Sequence, residues 1–141
     1  MATPQKFAWA VDQAQQIRDA DDTSVAQIQG RPVVLLATTG ARSGQTRHVP
    51  LMRVEHDGSY AAVASAGGQE RDPQWAHNLR AHRDVDVLDG TEHRMTRVRE
   101  LPPGDERDAW WERCVAAFPP YAEYQERAER LIPVFVLEPA G

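Results

Sequence analysis

This sequence is short of cysteine, of lysine and of long apolar runs. Cys114 stands alone, which excludes an internal disulfide and any Cys-x-x-Cys redox or zinc framework, and agrees with a reducing compartment. The longest unbroken apolar run, Val33 to Ala37, falls far below the ~20 residues that cross a bilayer. Met1 to Ala10 carries no signal-peptide pattern, so the chain is expected in the cytoplasm. His48, His56, His77, His82 and His93 show neither HExxH nor Cys-His spacing, and no metal site is expected. The GxSxG elbow, the P-loop and the GxGxxG fingerprint are also missing, which disfavours a serine hydrolase, a P-loop NTPase and a Rossmann dehydrogenase. Cys114 lies in an apolar helical context, where an inert buried thiol is the default.

Acidic residues are also missing from one long stretch. From Thr23 to Val54 there is no Asp or Glu, where the chain average would place about five, yet Arg31, Arg42, Arg47 and Arg53 are there. The stretch is +4 in a chain whose net charge is -5. A whole surface built for nucleic acid is therefore excluded, and a local cationic segment on an acidic protein points to a small anionic ligand. With 141 residues and 41% hydrophobic content, one globular domain is expected over 1–141, residues 1–22 forming a helical extension.

Along the chain, Phe7, Ala10, Ala14 and Ile17 recur at helical spacing over Pro4 to Ala20. Val33 to Thr39 reads as a buried strand and Arg47 to His56 as an extended run, with Asp57-Gly58 turning into Tyr60 to Ser65 as a third antiparallel strand. Asp72-Pro73 predicts the start of a short helix through Trp75 and Leu79, with Asp72 as its cap. Val85 to Leu88 and Met95 to Leu101 form a second hairpin about Asp89-Gly90. Helices are expected over Asp105 to Phe118 and Tyr121 to Leu131, then a last strand over Ile132 to Leu137 whose Pro133 suggests a sheet edge or a barrel opening. Six strands paired mostly by hairpins predict an α+β, mainly β fold: a closed or partly closed barrel with peripheral helices.

Three segments could carry chemistry. Thr38 to Arg47 joins two strands with two glycines, hydroxyls and two guanidinium groups, an anion site in outline, or else a solvated loop. Ala64-Ser65-Ala66-Gly67-Gly68 is a small-residue strand end before the Trp75–Asn78 helix. A flat ring could lie there with Ser65 and Asn78 at its polar edge, or it is a tight turn with Trp75 filling the core. Tyr121 and Tyr124 share a helical face after Phe118-Pro119-Pro120, either as core or as a pocket wall bearing hydroxyls.

Taken in order, these segments, with Pro50-Leu51, Asp72-Pro73-x-Trp75-x-x-Asn78-Leu79, Tyr121-x-x-Tyr124-Gln125 and Ile132-Pro133-Val134 to Pro139, resemble the deazaflavin-dependent nitroreductase family of actinobacteria, which uses coenzyme F420. The resemblance spans about Gly30 to Pro139 and implies a split β-barrel. It also implies a reduced deazaflavin that hands hydride to quinones, coumarin-type lactones or nitroaromatics. It places Arg42 on the tail carboxylates and Arg47 on the phosphodiester or adjacent carboxylates, with Ser43, Gly44 and Pro50 shaping the loop. Ala64, Ser65, Ala66, Gly67, Trp75 and Asn78 fall near the ring and its linker. Tyr121 and Tyr124 wall the acceptor pocket and, with Ser65, are the candidate catalytic residues. The cofactor would carry the hydride chemistry, so no protein nucleophile or metal is implied. Two rival readings are a non-catalytic barrel that carries a hydrophobic ligand and an FMN enzyme on the same barrel. The first helix leaves open a weak contact with the inner face of the membrane.

Overall fold

The computed structural model describes residues 5–69 and 71–140, with the backbone alone for residues 5–8 and Gly67. Pro4 and the Phe7 side chain, read from the sequence as part of the first helix, lie outside the described residues. Helix α1 (Gln5–Ala20) leads into a sheet of β1 (Gln27–Ile28), β2 (Arg31–Thr39), β3 (Thr46–Met52), β4 (Glu55–His56), β5 (Ser59–Val63), β6 (Asp84–Asp89), β7 (Glu92–Glu100) and β8 (Val134–Pro139). Helices α2 (Gln74–Ala81), α3 (Asp105–Ala117) and α4 (Pro120–Arg127) complete it. Strand order is β1-β2-β6-β7-β8-β5-β4, all antiparallel, with β3 on β2. Only Arg53 and Val54 separate β3 from β4, so the chain itself draws the two ends of the sheet together, and Ala61 N–H donates to the Val54 carbonyl across the gap at 2.9 Å. The sheet curls into a split β-barrel.

Period-two alternation assigns the core. Val34, Leu36, Tyr60, Ala62, Val85, Val87, Val98, Phe135 and Leu137 point into one cluster that Ala76 and Leu79 of α2 close. Ala61, Val63, Val134 and Val136 point the other way, against Trp110, Cys114, Phe118 and Tyr121 of α3 and α4. Val33 and Leu35 face Ala14 and Ile17 of α1. Covering of both faces explains why Val33 to Leu36 is a continuous apolar run rather than an alternating one.

Local turn chemistry is followed closely. Asp57 and Gly58 have φ +52° and +84°, the pair of positive values that a two-residue hairpin needs. Five expectations are corrected. The sheet has eight strands among the described residues, because β1 and β4 are only two residues long and carry no periodic signal. The three early strands are not consecutive neighbours, since β3 pairs β2 alone while β5 lies between β8 and β4. Pro133 precedes β8, which is a central strand; the edge proline is Pro50, buried in β3, where a missing N–H costs no ladder bond on the unpaired side. Asp72 does not cap α2: Pro73 is the cap residue without a side-chain bond, and the Asp72 carboxylate is engaged by two arginines. Helix α4 ends at Arg127, not Leu131.

Candidate active site

The connection between β2 and β3 is pinned by four hydrogen bonds. Gly40 N–H donates to the Gln45 carbonyl at 2.8 Å, and Gly44 N–H donates to the Gly40 carbonyl at 3.0 Å. Ser43 Oγ accepts the Gln45 N–H at 3.1 Å and folds so tightly over Gly40 that a Cβ there would lie 2.4 Å from it. Gly44 sits at φ +70°, a conformation suited to glycine. Ala41 N–H donates to Asn78 Oδ1 of α2 at 2.9 Å. The N–H groups of Arg42 and Ser43 have no protein acceptor among the described residues.

The four arginines of the acid-free stretch separate into two kinds. Arg31 donates to the Ala117 carbonyl at 2.6 Å, tying β2 to the end of α3. Arg53 grips Asp89 through Nε at 2.9 and 3.1 Å, and Asp89 also accepts the Tyr60 hydroxyl at 2.7 Å. Burial, reinforced by the Asp89 carboxylate, pushes the Tyr60 phenol up to about 12. Arg42 and Arg47 are exposed and, among the described residues, have no carboxylate partner. Two guanidinium groups, one on the connection and one at the start of β3, and two free N–H groups on the connection suit phosphate or carboxylate oxygens.

The small-residue segment is a platform held from outside. Ser65 opens a 3-10 turn over Ala66–Gly68, and its hydroxyl has no protein partner. Ala66 at φ +46° and Gly68 at φ +85° both take left-handed backbone. A Cβ on Gly68 would meet the Tyr124 carbonyl oxygen at 3.2 Å, so the turn lies directly on α4. Trp75 packs on Phe135 at 6.2 Å between ring centroids, half-buried at the start of α2.

Tyr121 and Tyr124 belong to one aromatic group. Tyr121 lies edge-on to Phe118 at 5.0 Å and is 6.3 Å from Tyr124, whose ring is covered by the Arg127 guanidinium at 5.2 Å. The two differ in access: Tyr121 is buried, and burial drives its phenol above the ordinary tyrosine range, whereas Tyr124 is half-exposed beside Gly68. Cys114 is buried and its thiol is pushed up to about 12 by burial, as an inert core cysteine should be.

The fold thus brings the 40–47 connection to α2 through Asn78, and the 64–68 turn to α4 through Gly68 and Tyr124. Asn78 serves the loop through its Oδ1, and Pro50 stands in the β3 ladder opposite Leu35, outside the loop. Recesses of about 360 Å³ beside Arg107 and Ile132, and about 170 Å³ beside His48 and His93, are lined by none of the assigned residues. Two residues escaped the sequence reading, Arg130 and the redirected Asp72. Nη1 of Arg130 meets Asp72 at 2.7 Å, and its other donors take main-chain carbonyls. Among the described residues no group of His, Cys, Asp or Glu could hold a metal, and no helix is long and apolar enough to cross a membrane.

The residues fit a deazaflavin coenzyme with an anionic tail: two cations without carboxylate partners lie on and just after the β2–β3 connection, and a backbone platform without bulky side chains follows β5. Comparison with known proteins agrees. Residues 9–139 match the family model described as F420H(2)-dependent quinone reductase. An F420H(2)-dependent quinone reductase of Mycobacterium tuberculosis is 37% identical over 108 residues, 75% of this chain and 72% of that protein. A solved F420-H2 dependent reductase, FDR-A, is 53% identical with TM-score 0.72, covering 77% of this chain and 95% of its own. A further structure, described as a domain-swapped dimer, is 46% identical with TM-score 0.74 over 95% of this chain and all of its own. The chain belongs to the F420H(2)-dependent quinone reductase family.

Proposed function

We propose that this protein binds reduced coenzyme F420 and reduces a planar electron-poor acceptor: a quinone, or a coumarin-type lactone or nitroaromatic. The observation that carries the reading is the unequal fate of the four arginines: Arg31 and Arg53 are committed to the fold, whereas Arg42, on the connection joining β2 and β3, and Arg47, the second residue of β3, stand without carboxylates. Their task is to hold the coenzyme's carboxylate and phosphodiester groups, assisted by the free N–H groups of Arg42 and Ser43. Ser43 and Gly44 keep the loop in shape. Ala64, Ser65, Ala66 and Gly67 leave room for a flat ring against the backbone, with the Ser65 hydroxyl at its polar edge and Trp75 and Asn78 bounding the far side.

When bound, the reduced deazaflavin supplies a hydride, and a quinone then needs one proton to become the hydroquinone. Tyr124, half-exposed beside the 66–68 turn, is placed to donate that proton or to orient the acceptor oxygen; solvent is the other source. Tyr121 supports Tyr124 from beneath. Ala14 and Ile17 dock α1 on the barrel, which leaves Trp9 and Val11 as the exposed large apolar residues among its described side chains, and flotation with anionic vesicles tests whether they touch a membrane.

The test is a titration of purified protein with F420 and, in parallel, FMN, followed by reduction of menadione, a coumarin and a nitroaromatic. Binding of F420 and acceptor-dependent oxidation of F420H2 support the reading. Binding of FMN alone, or of neither with no acceptor reduced, overturns it.

A further inference from the structure

Residues 64–69, with Arg71 and Asp72 beyond them, are held from outside. They contain a non-glycine residue in left-handed backbone, Ala66, and a second left-handed position, Gly68. Such conformations persist when the surroundings impose them. Arg130, between α4 and β8, imposes this one. Its Nε donates to the Gln69 carbonyl at 3.0 Å, Nη2 to the carbonyls of Ala64 at 3.0 Å and Ser65 at 3.3 Å, and Nη1 to Asp72 Oδ1 at 2.7 Å. One guanidinium therefore closes both ends of the segment. Asp72 extends the anchor: its Oδ2 takes Arg80 Nη1 at 2.9 Å, and Arg80 is gripped by Glu100 of β7 at 2.9 and 3.0 Å. The Arg130 and Asp72 side chains are 18% and 17% exposed, so solvent competes weakly for these bonds.

We infer that Arg130 is a positioning residue for the reduction: through Asp72 and the Ala64, Ser65 and Gln69 carbonyls it fixes the platform on which the deazaflavin ring must lie. The inference rests on the functional reading above. It assigns ring placement to a residue remote from the arginines assigned to the tail. Lysine cannot replace it, because one ammonium on a flexible stem cannot reach carbonyls approached from the two sides of a planar fork.

The experiment uses Arg130→Lys, with Asp72→Asn read in its place if the first variant does not fold. Hydrogen exchange on the protein without ligand should show amides of 65–72 exchanging at least tenfold faster, with those of β6 and β7 unchanged. The Kd for oxidised F420 should stay within about threefold of the parent's, while the fluorescence anisotropy of the bound ring falls and kcat at saturating F420H2 and acceptor drops at least tenfold. Parent-like exchange, or unchanged anisotropy and kcat in a variant that binds F420, overturns the inference. If the parent itself fails to bind F420, the functional reading fails and the inference falls with it, while the exchange result still reports whether the strap holds the segment.

Discussion

Asn78 Oδ1 accepts the backbone N–H of Ala41 at 2.9 Å across 37 positions of sequence, fastening the β2–β3 connection to helix α2. The residue is buried and its oxygen also faces Gln74 Nε2 at 3.4 Å, so the loop that carries Arg42 is held by a group with little freedom to move. Asn78→Ala should cost about 1 kcal/mol of stability for the lost bond, and it should weaken F420 binding about fivefold by loosening the loop. Chemical denaturation and a fluorescence titration measure the two. A loss of stability with unaltered affinity would mean that the loop needs no anchor.

The tyrosine pair separates by access. Tyr121 is buried and its phenol is held above the ordinary range chiefly by burial, so it is a neutral O–H throughout the neutral region. Tyr124→Phe should lower turnover about tenfold or more on a quinone, in the range of a lost general acid, with F420 affinity retained. Tyr121→Phe should change turnover less than about threefold, and no limb of the pH–rate profile below pH ~10 should disappear with it. Steady-state rates across pH on both variants decide this.

His93 bridges two elements. Its Nδ1 meets Asp86 of β6 and its Nε2 meets Asp21, just past α1, each at 2.8 Å. Hydrogen bonds donated to the carboxylates of Asp86 and then Asp21 raise its pKa. A raised value in the folded state stabilises fully below the unfolded value of ~6.5, and this contribution is lost as pH rises through the folded value. His48, lining the same recess with Arg18, is shifted down, first by burial and then by Arg18, so it acts in the opposite sense, disfavouring the folded state as pH falls. The two are separated by a variant: His93→Gln should lower Tm more at pH 5.5 than at pH 8.5. An equal loss at both values would show that the bridge carries no charge-dependent stability.

Much of this architecture was legible because its signals are local. Asp57-Gly58 states a hairpin by residue type, and Val33 to Thr39 states a strand by its run of branched side chains. The second hairpin turns one residue later than read, at Gly90-Thr91, because Asp89 still pairs with Glu92. What was hidden depends on partners far along the chain. Nothing in composition separates Arg31 and Arg53 from Arg42 and Arg47; only the positions of the Ala117 carbonyl and of Asp89 do. Arg130 was invisible for a stronger reason, since most of its acceptors are main-chain carbonyls, which every residue type offers alike. Asp72 showed the same ambiguity in reverse: an acceptor before proline reads as a cap, and it became an ion-pair bridge because Arg80 and Arg130 arrive on either side.

The central claim is that the exposed guanidinium groups of Arg42, on the β2–β3 connection, and Arg47, at the start of β3, bind the coenzyme's anionic tail, and F420 titration of the parent and of Arg42→Ala/Arg47→Ala at low and high salt tests it most directly. With ~1.5–3 kcal/mol for each charged hydrogen bond lost, the double variant should bind at least about a hundredfold more weakly at low salt. The parent's affinity should fall with added salt far more steeply than the variant's, and Tm should be unchanged, since neither side chain holds the fold. Equal dissociation constants for the two proteins, with the same salt dependence, would contradict the account.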